Sequence, residues 1–307
     1  MNLRERAALR LADVEYAAAW RLVGAAPPGL AIGAFRLGAE LAARRGGAGA
    51  RRLRANLARV VPDAPPAQLD RLVRAGLRSY ARYWCETFRL PRMDRQAIYR
   101  SMNSQLSGAD PVHAALGAGR GVVFALPHSG NWDAAGVWLV ETLRRLGREP
   151  SFTTVAQRLR PDSLYRRFVA YRAALGFEVV AAEDGRATHR ALTHRLRSGG
   201  VVCLLADRDL SGSGVEVGLF GEPARFPPGP ARLAELTGAL LVPAFPGFTP
   251  GGWSVRMAAP VSVAGRRDVP AATQAVADAF AELIAAQPED WHALQPIWSA
   301  DHARSVP

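Results

Sequence analysis

The 307-residue sequence contains no lysine; all 39 of its basic residues are arginine. Schiff-base chemistry on a lysine and a phosphate loop of the P-loop kind are thereby excluded. A GC-rich genome is sufficient cause for the bias, but the exclusion holds whatever its origin. Cysteine is almost as scarce. Cys85 and Cys203 are far apart, each in apolar surroundings, Cys203 inside the run Val201–Leu205. They read as small buried hydrophobes rather than a disulfide, a redox pair or metal ligands. Long apolar runs are missing too. The longest uncharged stretch near the start, Leu22–Phe35, has 14 residues and is divided by Pro27-Pro28, whereas crossing a bilayer takes about 20. Met1–Glu15 carries Arg4, Arg6 and Arg10 with three acids before any apolar run, so no secretory leader is expected. There is no internal repeat and no low-complexity linker.

What is present describes a folded chain with an uneven charge. Hydrophobic residues make up 49% and charged ones 21%, enough for a large core. The net charge is +12. Residues 1–60 hold eleven Arg against Glu5, Asp13, Glu15 and Glu40, a balance of +7, which leaves +5 for the rest. An arginine excess suits anionic lipid, a polyphosphate ligand or nucleic acid. No nucleic-acid module is recognisable, and His113, His189, His194, His292 and His302 lack metal-ligand spacing, so neither nucleic acid nor metal is expected as a partner. With no spanning segment, the N-terminal helices are expected either to lie peripherally on an anionic membrane surface, at the cytoplasmic face, or to form an ordinary hairpin packed on the main domain; charge alone does not choose.

The hydrophobic patterning divides the chain near residue 118. Before it, Leu9–Leu22, Leu30–Ala43, Arg51–Val61 and Pro65–Phe88 read as helices, giving a helical region, 1–118, packed on the core and facing the membrane. After it, strands and helices alternate. Gly121–Pro127, Phe152–Val155, Glu178–Val180, Val201–Leu205 and Leu240–Pro246 read as buried strands. Trp132–Leu146, Pro161–Leu175, Arg186–Arg197, Gly229–Thr237 and Ala271–Ala286 read as helices. This predicts an α/β unit over 119–307 with a mostly parallel central sheet flanked by helices, and Trp253–Ala258 as a strand that breaks the alternation.

The segment His128-Ser129-Gly130-Asn131-Trp132-Asp133 follows the first of these strands and opens a helix. The carboxyl end of a strand is where an open α/β sheet binds ligands. A histidine there is placed to act as general base toward a substrate hydroxyl. Asn131 is a natural N-cap, which puts Asp133 in the first helical turn, at the positive end of the dipole. By residue chemistry alone, a capped helix beside an incidental histidine explains the pattern equally well. Ser129 lacks the Gly-x-Ser-x-Gly frame of a hydrolase nucleophile.

With His-x4-Asp after a strand, the chain resembles the lysophospholipid acyltransferase superfamily, whose core is glycerol-3-phosphate acyltransferase-like. The nearer likeness is to the branch of the lipid A lauroyl/myristoyl acyltransferases and the actinobacterial phosphatidylinositol mannoside acyltransferases. It rests on ordered motifs: HSGNWD, then Phe152–Leu159, Ser163–Tyr165, Tyr171-Arg172 and Leu175–Val179. Leu205–Leu210, Gly214–Val217, Phe220–Glu222 and Pro228–Ala239 follow, with Trp291, Leu294-Gln295 and Ile297-Trp298 near the end.

The resemblance implies an O-acyltransferase that moves a long fatty acyl group from acyl-CoA to a sugar hydroxyl of an anionic glycolipid such as a phosphatidylinositol mannoside. Acyl-CoA is then a substrate, and no cofactor is expected. A lysophospholipid or a lipid A-type disaccharide is the alternative acceptor, and a lipid- or nucleic-acid-binding protein that merely retains the fold is the non-enzymatic alternative. His128 is the expected base. Either Asp133, the motif acid, or Asp207, which corresponds to the acid of a later Arg-Asp-containing motif, is to hold the imidazole; Asp207 is favoured. The branch also implies an acid and an arginine around the acceptor. Arg172 matches the arginine, but Gln157 stands where the acid is expected. Asn131, Arg158 and Arg208 are candidate binding groups, the two arginines as phosphate or oxyanion partners. Glu216, inside a matched motif, completes the set. The glycine-rich Ser211–Gly214 turn is expected to be only a turn.

Overall fold

The computed structural model describes residue 18 and residues 20–158, 161–209 and 212–303. The expected helix Leu9–Leu22 falls largely outside them, as do Leu159, Leu210 and Ser211. Helix α1 (Pro28–Arg45) begins with proline at its first position, where no amide hydrogen is missed, and ends on Gly46 in the left-handed conformation, φ 57°. Helix α2 (Ala48–Val60) and helix α3 (Pro66–Arg89) follow. α1 lies along α3, and Ala39 joins Leu53, Leu57, Val73 and Leu77 in a small core of its own. α1 buries mostly small residues there. Leu30 and Leu37, and Leu22 just before the helix, stand 71%, 62% and 71% exposed.

Helix α4 (Arg95–Asn103) is capped by Asp94, which accepts the Gln96 amide. Strand β1 (Leu106–Ser107) and helix α5 (Asp110–Gly117) complete the first third. The expectation of a mostly helical stretch up to residue 118 does not include β1, which pairs in parallel with the late strand β9 (Gly252–Met257) and so joins the main sheet.

From residue 122 the alternation of strand and helix is regular. In order come β2 (Val122–Leu126), α6 (Trp132–Arg145), β3 (Phe152–Ala156), α7 (Asp162–Ala174), β4 (Phe177–Ala181) and α8 (Arg186–Arg197). Then follow β5 (Val201–Leu205), a hairpin of β6 (Val215–Leu219) and β7 (Glu222–Phe226), α9 (Gly229–Thr237), β8 (Leu240–Thr249), β9, α10 (Val269–Ala286) and α11 (Ser299–Ala303). The sheet order is β1-β9-β8-β2-β5-β3-β4. β2, β3, β4, β5 and β8 run parallel, and β9 turns back antiparallel to β8. Five of the seven strands, the contiguous block β8-β2-β5-β3-β4 ending at the β4 edge, are parallel, which makes the sheet mostly parallel, as the alternation predicts.

Both faces of the sheet are covered, which is why its strands are apolar without alternation. Along β2, Val122 and Phe124 pack with α4, α5 and α6 on one face, while Val123 and Ala125 pack with α8, α9 and α10 on the other. The β6–β7 hairpin lies where the sequence reads only as a glycine-rich loop. Its burial alternates, with Val217, Leu219, Ala224 and Phe226 turned inward, but Gly218 and Pro223 stand inside the strands and glycines frame them, so the stretch reads as turn.

Candidate active site

Sheet register decides which acid meets His128. β2 and β5 are parallel neighbours with Leu126 opposite Leu205. His128 stands two residues past the first of these and Asp207 two past the second. The side chains consequently meet at the carboxyl ends of the strands. His128 Nδ1 is 2.5 Å from Asp207 Oδ1. The His128 backbone N–H donates to Asp207 Oδ2 at 3.0 Å, and the Trp291 indole N–H donates to the same oxygen at 3.0 Å. Asp207 is 1% exposed. Burial opposes its ionisation, but the imidazole, its hydrogen bonds and the nearby Arg208 guanidinium outweigh that and hold the carboxyl well below the usual carboxylate range. With an ionised acceptor at Nδ1, the neutral imidazole carries its proton there and leaves Nε2 as the basic nitrogen. Arg208 Nη2 lies 3.0 Å from that Nε2, and its Nη1 is bonded to the Gln295 side chain.

The loop that carries His128 is fixed at several points. Gly130 adopts φ 50°, and a Cβ there would sit 2.5 Å from the Pro246 carbonyl oxygen, so glycine is required on both counts. The Ser129 hydroxyl donates to the same carbonyl at 2.9 Å. Asn131 caps α6 by accepting the Ala134 amide at 2.9 Å and donates from Nδ2 to Glu86 Oε2 at 2.7 Å. Glu86, on α3, also accepts the Trp253 indole N–H at 2.7 Å and the Arg82 Nε–H at 2.7 Å. Thus the first third of the chain holds the loop that the later part builds.

Asp133 lies elsewhere. α6 carries it to the opposite side of the loop, where Oδ1 accepts the Arg172 Nε–H at 3.0 Å and Oδ2 faces the Tyr83 hydroxyl at 3.4 Å. Burial alone would lower the Arg172 pKa; the Asp133 charge reverses this and holds the guanidinium more firmly charged than usual. Asp133 and Arg172 are therefore a buried ion pair that neither joins His128 nor faces open solvent.

The remaining expected binding residues separate. Asn131 is buried and both ends of its amide are engaged within the protein, so it acts as cap and tether rather than presenting itself to a ligand. Arg158 is exposed and pairs with Asp184 at 3.0 Å, and its backbone N–H donates to Glu183, a surface ion pair. Glu216 sits on the exposed side of the β6–β7 hairpin, opposite Arg225 in register. Gln157 is exposed just beyond the carboxyl end of β3. Of the set, Arg208 alone touches His128. The sequence reading did not single out Tyr83, Glu86, Asp290 or Trp291 as groups around the loop; Trp291 stood in a matched terminal motif, which was its one signal.

Between the sheet and α6 is a narrow apolar cavity walled by Phe124, Leu126, Trp132, Leu139, Phe152 and Phe177 among others. Leu126 and Trp132 flank the His128 loop on either side. The charged groups on the wall are Asp133 and Arg172, already paired with each other. An apolar cavity opening beside a few converging polar groups is the usual form of a small-molecule site. Among the described residues no group of three or more His, Cys, Asp or Glu side chains is arranged to hold a metal ion.

An imidazole nitrogen backed by a buried carboxylate can take up and return a proton, and an apolar cavity lies next to its loop. The profile of the bacterial lipid A biosynthesis acyltransferases matches residues 4–300. The chain belongs to that family. Among characterised relatives, the phosphatidylinositol mannoside acyltransferase of Mycobacterium tuberculosis (strain H37Rv) is 50% identical over 294 residues, covering 95% of this chain and 90% of the relative. The enzyme of the same name from Mycolicibacterium smegmatis is 51% identical over 293 residues, covering 95% and 93%. The protein is thus an acyltransferase, an enzyme whose substrates are an acyl donor and a lipid acceptor.

Proposed function

We propose that this acyltransferase transfers a long-chain fatty acyl group from acyl-CoA to a sugar hydroxyl of a phosphatidylinositol mannoside or closely related glycolipid, with His128 as general base and Asp207 as its partner. The observation that carries the proposal is the contact of His128 Nδ1 with the buried Asp207 carboxylate, 2.5 Å, on a loop whose flanking residues Leu126 and Trp132 line an apolar cavity. His128 Nε2 takes the proton of the acceptor hydroxyl as its oxygen attacks the thioester carbonyl. The tetrahedral intermediate collapses with cleavage of the carbon–sulfur bond, and the departing thiolate of CoA takes the proton back from the imidazolium. Asp207 keeps the imidazole in the tautomer that leaves Nε2 basic and stabilises the cation that forms. Arg208, whose Nη2 is 3.0 Å from Nε2, gives up that contact to the acceptor hydroxyl and places its charge beside the developing oxyanion. The cavity between the sheet and α6 accommodates the acyl chain.

The acceptor class is supported by the two relatives, whose names state it, at 50% and 51% identity over nearly the whole chain. His128→Ala should lower turnover by about 10²–10⁴-fold with the fold intact. The assay follows free thiol released from palmitoyl-CoA in the presence of a mannosylated phosphoinositide. Near-normal turnover in a folded His128→Ala protein would end the reading.

The same proposal places the enzyme peripherally on the cytoplasmic leaflet, where acyl-CoA is available. Leu30, Leu37 and Leu41 form an exposed stripe along α1 with Arg36, Arg44 and Arg45 beside it. No helix among the described residues is long and apolar enough to cross a membrane. Each basic residue near an anionic surface contributes about 1 kcal/mol, screened by salt. Sedimentation with phosphatidylinositol-containing vesicles should accordingly weaken in salt and in Leu30→Ser/Leu37→Ser, and equal binding to neutral vesicles would contradict the placement.

A further inference from the structure

The segment that follows α10 folds back behind the His128 loop. Ser129 and Trp291 form an antiparallel bridge. The Gly130 amide donates to the Asp290 carbonyl at 2.9 Å, and the His292 amide donates to the His128 carbonyl at 2.7 Å. At the centre of this strap the Trp291 ring is fully buried, and its indole N–H reaches Asp207 Oδ2 at 3.0 Å. Oδ2 thus takes two donors, from Trp291 and from the His128 backbone, while Oδ1 is left to the imidazole.

A buried tryptophan is stabilised by an acceptor for its N–H, and a backbone carbonyl is sufficient. Trp298 illustrates that ordinary solution. It is equally buried, lies 6.0 Å from Trp291 ring to ring, and donates to the Leu219 carbonyl at 2.9 Å. Trp291 instead donates to the ionised group that touches the imidazole. The difference bears on the chemistry, because a carboxylate that accepts an additional hydrogen bond is both fixed in rotation and a weaker attractor of the proton on its other oxygen.

We infer that Trp291 is a positioning residue: its indole N–H sets the plane of the Asp207 carboxylate and moderates its pull on the His128 proton, keeping that proton on Nδ1 and Nε2 available to the acceptor. The inference rests on the His128–Asp207 reading above. Other charged or titratable groups face the pair from each side. Arg208 approaches Nε2, His292 lies on the strap, Asp290 is engaged by Ser79 and the Phe248 amide, and Asp133 is paired with Arg172. Loss of a neutral N–H at position 291 leaves all of these charges in place.

The sign of the effect follows. Without the indole donor, Asp207 draws the imidazolium form more strongly, so the acid limb of kcat/KM moves to higher pH. At the same time the carboxylate gains freedom to rotate, and kcat falls. The test replaces Trp291 in the full-length enzyme by 3-benzothienylalanine, a tryptophan analogue of the same shape with sulfur in place of N–H; the same replacement at Trp298 is the control. For position 291 the expected result is kcat lower by about tenfold, as for loss of one hydrogen bond to a charged group. KM for palmitoyl-CoA and for the mannoside acceptor should be unchanged, with the acid limb displaced upward. The Trp298 analogue should leave the limb where it was. Trp291→Phe gives a second route to the same loss of N–H. An unmoved acid limb in folded protein with either change at 291, or an identical response at 298, would overturn the inference. If His128→Ala abolishes turnover and position 291 is silent, this inference alone fails. If His128→Ala remains active, the reading beneath it fails.

Discussion

Asp133 is five residues from His128 in the chain and Asp207 is 79 away, yet the distant acid holds the imidazole and the near one holds an arginine. Both are buried, at 2% and 1% exposure. Their surroundings differ in kind. Asp207 lies beyond a strand adjacent to the one that leads to His128, so parallel register delivers it to the ring. Three N–H donors then converge on it. Asp133 starts a helix, and the helix leaves the strand end at once for the face covered by α6 and α7, where Arg172 neutralises it. The comparison teaches that a short motif spacing marks the loop that needs both residues without implying that they touch.

The largest effect that tests this comparison is on turnover. Asp207→Asn should cost about 10²–10⁴-fold, the range for a disabled general base, because the amide favours the wrong tautomer at Nδ1. Because the asparagine amide cannot accept from all three donors, stability falls as well, and the readout is turnover per folded molecule. For Asp133→Asn the order is reversed. The guanidinium of Arg172 is left buried without its counter-charge, and stability should fall by about 3 kcal/mol, with turnover per folded molecule much less affected. Restoration of most of that loss in Asp133→Asn/Arg172→Met would confirm an ion pair with a structural role. Equal turnover losses in the two asparagine variants would erase the distinction.

A smaller effect concerns the acceptor. Gln157 is exposed beyond β3, in the position where the resemblance implies a carboxylate. Hydrogen bonds to charged groups are worth about 1.5–3 kcal/mol against about 0.5–1.5 for neutral ones. Gln157→Glu should therefore lower KM for a mannosylated phosphoinositide several-fold and leave KM for palmitoyl-CoA alone. A raised acceptor KM would point to a more anionic headgroup.

The smallest effect lies behind the loop. Burial, with His128 nearby, pushes the His292 imidazole down to about 3 from its ordinary 6.5, while burial pushes Asp290 up to about 6 despite its bonds from Ser79 and the Phe248 amide. A base with a depressed folded pKa contributes stability that is full above 6.5 and lost as pH falls toward 3, because the unfolded chain takes a proton that the folded one refuses. Asp290 acts in the other direction, losing its contribution as pH rises from about 4 to about 6. His292→Gln should remove only the first term, so its stability relative to the parent should rise as pH is lowered from 6.5 to 4, by on the order of 1–2 kcal/mol. A pH-independent difference in denaturant midpoints would show that His292 is not held neutral.

Much of this architecture could be read from the chain. Arg186–Arg197, Val201–Leu205 and Gly229–Thr237 have the bounds predicted for them, since continuous apolar strands and amphipathic helices are local patterns. β1 and the β6–β7 hairpin were not legible: two residues carry no period, and the hairpin's strands are framed by glycines that read as turn. The loop of HSGNWD was visible, and so was its histidine. Its support from Glu86 and from the strap at Asp290–His292 was not, because those residues come from helix and chain end, more than 40 and more than 160 residues away.

By itself the sequence determined the alternation of strands and helices, the arginine-only charge with its concentration in the first 60 residues, and the histidine at the end of the first long strand. Those properties depend on neighbours along the chain. Tertiary structure alone decided that Asp207 rather than Asp133 meets His128, that Arg158 is engaged at the surface while Arg208 reaches the imidazole, and that a tryptophan from the far end of the chain donates to the carboxylate. Each of these follows from strand register and from which face of the sheet an element covers, and register is fixed by burial summed over whole strands rather than by any spacing within one of them.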